Sequence, residues 1–157
     1  MNGLSDLIAP EAILPRLSAN SRKAALQAMA DALAKAHGGV ISGRAAFEAV
    51  LMRERLSGTG MGEGVAIPHA AVAGLIQPIG AFARLETPLD FDALDARPAD
   101  LVFMLLSPPE KGADHLKALA RVSRFFRRAD MRERLRAARG SEELAALFES
   151  AAHSDAA

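Results

Sequence analysis

Apolar residues recur along this chain with two different periods, and the switches between them divide it into elements. From Ser21 to His37, Leu26, Met29, Ala30 and Leu33 fall on one stripe of a helix. Asn20 or Ser21 would cap its start and the pair Gly38 and Gly39 would end it. Before it, a short extended segment at 12–14 is expected to stop at Pro15. A second helix is expected after Ser42, with Phe47, Val50 and Leu51 inward, running out at Gly58. Three runs then read as strands, at 65–67, 79–85 and 101–106. The last, LVFMLL, is apolar at every position, as in a central strand covered on both faces. Pro78, Pro88, Pro98, Pro108 and Pro109 punctuate the connections, and 88–98 reads as an ordered surface turn with Phe91 and Leu94 tucked in. From Asp114 to Arg128 the spacing of Leu116, Leu119, Val122 and Phe126 predicts a helix whose Arg121, Arg124, Arg127 and Arg128 face water. Asp130 and Glu133 suggest a capping box for a fourth helix, and Ser141 opens a fifth with Leu144, Leu147 and Phe148 inward. Two helices, three or more strands and three helices make an α/β sandwich with the sheet sheltered on both faces.

Composition narrows the function more than the fold. A chain of 157 residues has the length of one domain, placed here at 1–150, with a frayed tail at 151–157. Nineteen basic residues balance nineteen acidic ones, so no long-range field draws in nucleic acid or an anionic membrane. There is no cysteine, which removes disulfides, thiolate metal sites and cysteine nucleophiles. Without Trp or Tyr, and with seven Phe, the chain lacks the usual platforms for stacking bases. The start MNGLSDLIAP has no basic stretch followed by an apolar run, and no segment is long enough to span a bilayer, so a cytoplasmic location is expected.

The stretch richest in chemistry is RERLSGTGMGEGVAIPHA, residues 53–70. Its glycines permit positive φ and close backbone approach, and N–H groups exposed in such a turn can hold an oxyanion. Pro68 fixes its own φ and biases Ile67 toward extended geometry, so the end of a strand presents His69 with little freedom. A neutral imidazole is available near pH 7, and the P–N bond it forms is labile enough for a relay. Arg53 offers a planar, permanent cation for the charge of a transferring group. His115, near a helix start after Pro109, is the second candidate, a donor to His69 or its phosphate. On pattern alone each also has an ordinary reading. His69 reads as any exposed histidine after a proline, His115 as a satisfied core-edge residue, and Arg53 as solvated helix surface. His37 at a helix end and His153 in the tail are given no role.

Run together, LMRERLSGTGMGEGVAIPHA at 51–70 resembles the active-site signature of the fructose/mannitol and nitrogen-regulatory enzyme IIA family of the bacterial phosphotransferase system. FARL at 82–85, PLDFDALD at 88–95, PADLVFMLLSP at 98–108 and HLKALAR at 115–121 extend the similarity in the same order. The resemblance implies a mixed central β-sheet flanked by helices on both faces. It implies that His69 accepts a phosphoryl group, through Nε2, from a phosphohistidine carrier protein of the HPr type, with Arg53 and His115 as the other active-site residues. No cofactor and no metal are implied. The lone domain and the stretch at 98–106 favour the nitrogen-regulatory type, which acts on partner proteins according to phosphorylation state. A sugar-specific enzyme IIA handing its phosphoryl group to an enzyme IIB is the alternative within the family. Outside it stand a binding module without relay chemistry and a metal-dependent hydrolase using His69 and His115. The hydrolase has no His-x-x-x-His or carboxylate cluster behind it.

Overall fold

The computed structural model describes the backbone of residues 3–155 and the side chains of 3–149. The elements are β1 (Ile8–Leu17), α1 (Arg22–Ala36), α2 (Gly43–Leu56), β2 (Gly60–Gly62), β3 (Val65–Ala66), β4 (His69–Ala71), β5 (Ile79–Leu89), β6 (Ala99–Ser107), α3 (Gly112–Arg127), α4 (Ala129–Ala137) and α5 (Ser141–Asp155). The strands form one six-stranded sheet in the order β1-β5-β6-β3-β2, with β4 also on β6. β1 runs parallel to β5, and β3 and β4 run parallel to β6. The β5–β6 and β2–β3 pairs are antiparallel, so the sheet is mixed as expected.

Successive side chains of a strand point to opposite faces, so an all-apolar strand needs a core on each side. β6 has both. Val102, Met104 and Leu106 join the core under α1 and α2, while Leu101, Phe103 and Leu105 join the core under α3, α4 and α5. The second core holds Phe82, Phe103, Phe125, Phe126 and Phe148, with ring centroids 5.1 to 6.3 Å apart in stacked and edge-on pairs. The helix ends follow their capping chemistry. Ser21 and Ser42 each accept a backbone N–H at 3.0 Å, from Ala24 and Ala45. After α1, Gly38 and Gly39 adopt φ of 64° and 80° and return their N–H groups to Lys35 and Ala34, closing a Schellman motif.

Several local expectations are corrected. Pro15 does not stop β1, because β1 is an edge strand paired only with β5, where a proline facing outward removes no ladder bond. β5 likewise continues through Pro88 after a register shift, so the surface turn begins at Asp90. Within that turn Phe91 is buried and Leu94 is fully exposed. On α3, Leu116 faces water and Phe125 takes its place in the core. Arg121 turns inward, with both guanidinium ends on Asp6 and the Gly3 carbonyl at 2.6 to 2.9 Å. α4 has no side-chain cap at its start; Asp130 lies within the first turn and takes Arg128 at 2.8 Å. β2 and β4 have three residues each, too short for any period to show. Of the stretch expected to fray, 156–157 lie outside the described residues.

Close packing against the phenylalanine cluster yields a test. A Cβ on Gly80 would sit 2.5 Å from Phe103 Cζ, a ring held by its neighbours. Gly80→Ala is expected to destabilise by about 1–3 kcal/mol in urea unfolding. Gly112→Ala, where nothing lies within 4 Å of the new methyl, is the near-neutral control.

Candidate functional site

β3 and β4 are one strand interrupted at Pro68. Ala66 lies opposite Val102 and His69 opposite Leu105, so the proline breaks the strand without shifting its register. Pro68 still gives its carbonyl to the Leu105 N–H at 2.9 Å. Ile67 turns its backbone the other way: its N–H goes to the Thr59 carbonyl at 3.0 Å, and its own carbonyl lies 2.6 Å from His69 Nδ1. A carbonyl only accepts, so Nδ1 carries the hydrogen, and in the neutral ring Nε2 keeps a free lone pair. Burial of the half-buried imidazole pushes its pKa below the ordinary histidine range. The Ile67 bond opposes that shift and the nearby charge of Arg53 adds to it.

The structure brings His115 to the same place. Its ring centroid is 5.6 Å from that of His69, the planes tilted by 45°. His115 lies in the first turns of α3, with Nδ1 2.6 Å from the hydroxyl of Ser107, the wholly buried last residue of β6. Burial and then the neighbouring His69 lower its pKa. Arg53, in the last turn of α2, donates Nη1 to the Ser57 carbonyl at 2.7 Å, and its charge is felt at His69. The three residues singled out in the sequence therefore form one cluster: a nucleophilic nitrogen with its tautomer fixed, a second imidazole, and a cation.

Two supporting features escaped the sequence reading. Ser107 is the polar residue closing an apolar run, the one signal that marked it. Glu54, beside Arg53, is only 4 % exposed. Its carboxylate accepts the Thr59 hydroxyl and, at 3.1 Å, Arg22, whose Nη1 also reaches Asp92 at 3.1 Å and whose guanidinium lies over Phe91. Burial raises the Glu54 pKa, and the bonds from Thr59 and Arg22 hold it back. The glycines also serve differently from expectation. A Cβ on Gly58 would collide with the Phe91 carbonyl and one on Gly60 would meet Ala93 at 2.8 Å, so these residues let two loops touch. The Gly60 and Glu63 N–H groups are spent on the Phe91 carbonyl and the Asp95 carboxylate, which removes them from an oxyanion cradle.

Among the described residues no group of three or more His, Asp or Glu side chains could hold a metal ion, and no helix is long and apolar enough to cross a membrane.

A sheet of this topology with a Pro-His corner beside a second histidine defines a class. Residues 6–151 match the family described as phosphoenolpyruvate-dependent sugar phosphotransferase system, EIIA 2, and the chain belongs to that family. Within it the chain is of the nitrogen-regulatory type. It is 50 % identical to a nitrogen regulatory protein of Bradyrhizobium diazoefficiens over 141 residues, 90 % of this chain and 91 % of that one. The crystal structure of nitrogen regulatory protein IIA-Ntr from Neisseria meningitidis superposes with a TM-score of 0.84 at 32 % identity, covering 92 % of this chain and 98 % of that one. IIA mannitol from Escherichia coli shares the fold, with a TM-score of 0.74 at 21 % identity over 89 % of this chain and 97 % of that one.

The two lowered histidine pKa values set a pH dependence. Folded His69 and His115 bind a proton less readily than unfolded ones. Their contribution to stability is therefore complete above about pH 6.5 and is lost as the pH falls through their folded values. Nitrogen NMR of the imidazoles is expected to give midpoints below about 6.5 for both, with Nδ1 protonated in neutral His69. A midpoint at or above that value, or a proton on Nε2 of the neutral His69 ring, would contradict the assignment.

Proposed function

We propose that this protein is a cytoplasmic phosphocarrier and regulator of the nitrogen-related phosphotransferase system, a single enzyme IIA domain over 1–150. The observation that carries it is the bond from His69 Nδ1 to the Ile67 carbonyl, which leaves the lone pair of a neutral Nε2 free. In the step proposed, that lone pair attacks the phosphorus of a phosphohistidine on an HPr-like donor. The donor's P–N bond breaks, its electron pair leaves with the donor imidazole, and a new P–N bond forms on His69. The proton stays on Nδ1, donated to the Ile67 carbonyl, so the imidazole charge that develops is held by a fixed dipole.

Arg53 spreads its charge over the transferring oxygens, which no uncharged residue at that place would do. In this reading the Ser107 hydroxyl, 2.6 Å from His115 Nδ1, donates to it, which puts the hydrogen of that ring on Nε2 as a donor beside the phosphoryl group. Modification adds about two negative charges to a chain whose formal charge is zero. Partner proteins that fit one state are then disfavoured in the other, which is the regulatory output. The name of the 50 % identical relative, a nitrogen regulatory protein, supports this reading over sugar-specific delivery to an enzyme IIB.

Intact-mass measurement with phosphoenolpyruvate, enzyme I and carrier protein tests the mechanism. One acid-labile phosphoryl group is expected on the parent and none on His69→Ala, while Arg53→Ala slows its acceptance by roughly 100-fold or more. Equal phosphorylation of His69→Ala would sink the reading.

A further inference from the structure

A cleft of about 610 Å³ opens at the other end of the sheet from the histidines, where β1 and β5 finish and β6 begins. Asp100 in its wall and Leu105 beside His69 are five positions apart on β6, roughly 16 Å of strand. Four arginines line it, Arg16, Arg84, Arg136 and Arg139, against two carboxylates, Glu86 and Asp100. The balance is two positive charges in a chain that is neutral as a whole.

The arginines differ in how they are held. Arg84 is locked: Nε donates to the Pro15 carbonyl at 2.9 Å, and Nη1 donates to the carbonyls of Leu135, Arg136 and Ala138 at 2.7 to 3.3 Å. It thereby caps the end of α4 and joins that helix to β1. No protein acceptor takes its Nη2 among the described residues, and that nitrogen is not one of the buried unpaired atoms. A fixed guanidinium with a spare donor at the cleft wall is preorganised for an anion. Arg136 is pinned on Asp100 through two bonds of 2.8 and 2.9 Å. Arg16 and Arg139 are the mobile members. Their side chains are 81 % and 92 % exposed and make surface pairs with Glu86 and Glu143, contacts that contribute little and exchange easily.

We propose that this cleft binds a small phosphorylated anion carrying at least two negative charges. Guanidinium groups reach it from the end of β1, from β5 and from the turn between α4 and α5. A planar carboxylate is satisfied by one fork, as Asp100 already is by Arg136. A tetrahedral phosphoryl group accepts from several directions and suits this arrangement better. The site is separate from His69 and independent of the phosphoryl relay.

Pyrophosphate is the probe. In a backbone NMR titration at low salt, saturable shifts are expected at residues 84–86, 100 and 136–140, with a Kd of about 1 mM or tighter that weakens as salt rises. Arg84→Ala removes the cap on α4 and risks the fold, so the variant of choice is the exposed pair Arg16→Ala and Arg139→Ala, expected to weaken binding about tenfold. His69→Ala should bind as the parent does. Shifts centred on His69, Arg53 and His115, an unchanged Kd in the double variant, or no saturation by about 10 mM would each overturn the site. Citrate binding as tightly as pyrophosphate would overturn the phosphoryl preference. A failure of the His69 relay leaves this titration untouched, so the two proposals fall separately.

Discussion

The register of β4 on β6 is the constraint on which the site depends. His69 lies opposite Leu105 and Ala71 opposite Ser107, so one strand end positions both imidazoles, one through a pairing and one through its terminal hydroxyl. A slip of one residue would turn every side chain of β4 to the other face. What prevents the slip is β6 itself. Its Leu101 to Leu106 are all wholly buried, and each such side chain contributes about 1.5–3 kcal/mol that a misregistered strand would forfeit in part. The precision of a partly buried corner is thus derived from apolar packing several residues away.

Around that corner the polar groups are held by partners rather than by water. Pro68 ends the first half of the strand, and Ile67, facing away from β6, is left with a carbonyl that His69 occupies. One bond sets the tautomer and the aim of the ring together. Glu54 secures the other side. A carboxylate this buried is costly without donors, and Thr59 and Arg22 supply them, tying α2 to the loop that follows it. Asp92 and Phe91 extend the tie to the turn after β5. Arg53 is the next residue along the same helix, so its backbone position is set by a network that it does not itself join.

The architecture was legible in the sequence because β6 and the first two helices carry strong periods with their caps in place. The candidate site was legible through its resemblance to the enzyme IIA signature, while glycine, proline and histidine by themselves only marked where the chain is restricted. Errors gathered where two physical signals competed. Leu116 has the spacing of a core residue, yet in the first turns of α3 it is His115 that faces Ser107, and Leu116, one position on, faces water. Arg121 reads as solvated surface until the N-terminal segment, distant in sequence, brings Asp6 to it. The glycines of 58–64 carried a true signal of close approach, but the sequence does not say what approaches. For Gly58, Gly60 and Gly62 it is the 91–95 turn, and for Gly64 it is Arg136 and Asp100. Long-range partners of this kind leave no local pattern.

On the proposed function, a single modification has to change how a protein surface is read, and the surroundings of the histidines suit that task. Met52 and Leu56 flank Arg53 on α2, and Leu116 follows His115 on α3, all three largely exposed. Apolar surface around a neutral, partly buried imidazole is inexpensive to cover, because a docking partner need not strip water from a charge. In the proposed function, phosphorylation adds about two negative charges at His69. A partner that covered it before would now have to desolvate a dianion, unless it brought cations of its own. The lowered pKa of His69 serves both states: it keeps the unmodified ring uncharged near neutral pH, ready to react and easy to bury, so that almost the whole electrostatic difference between the two forms comes from the phosphoryl group itself.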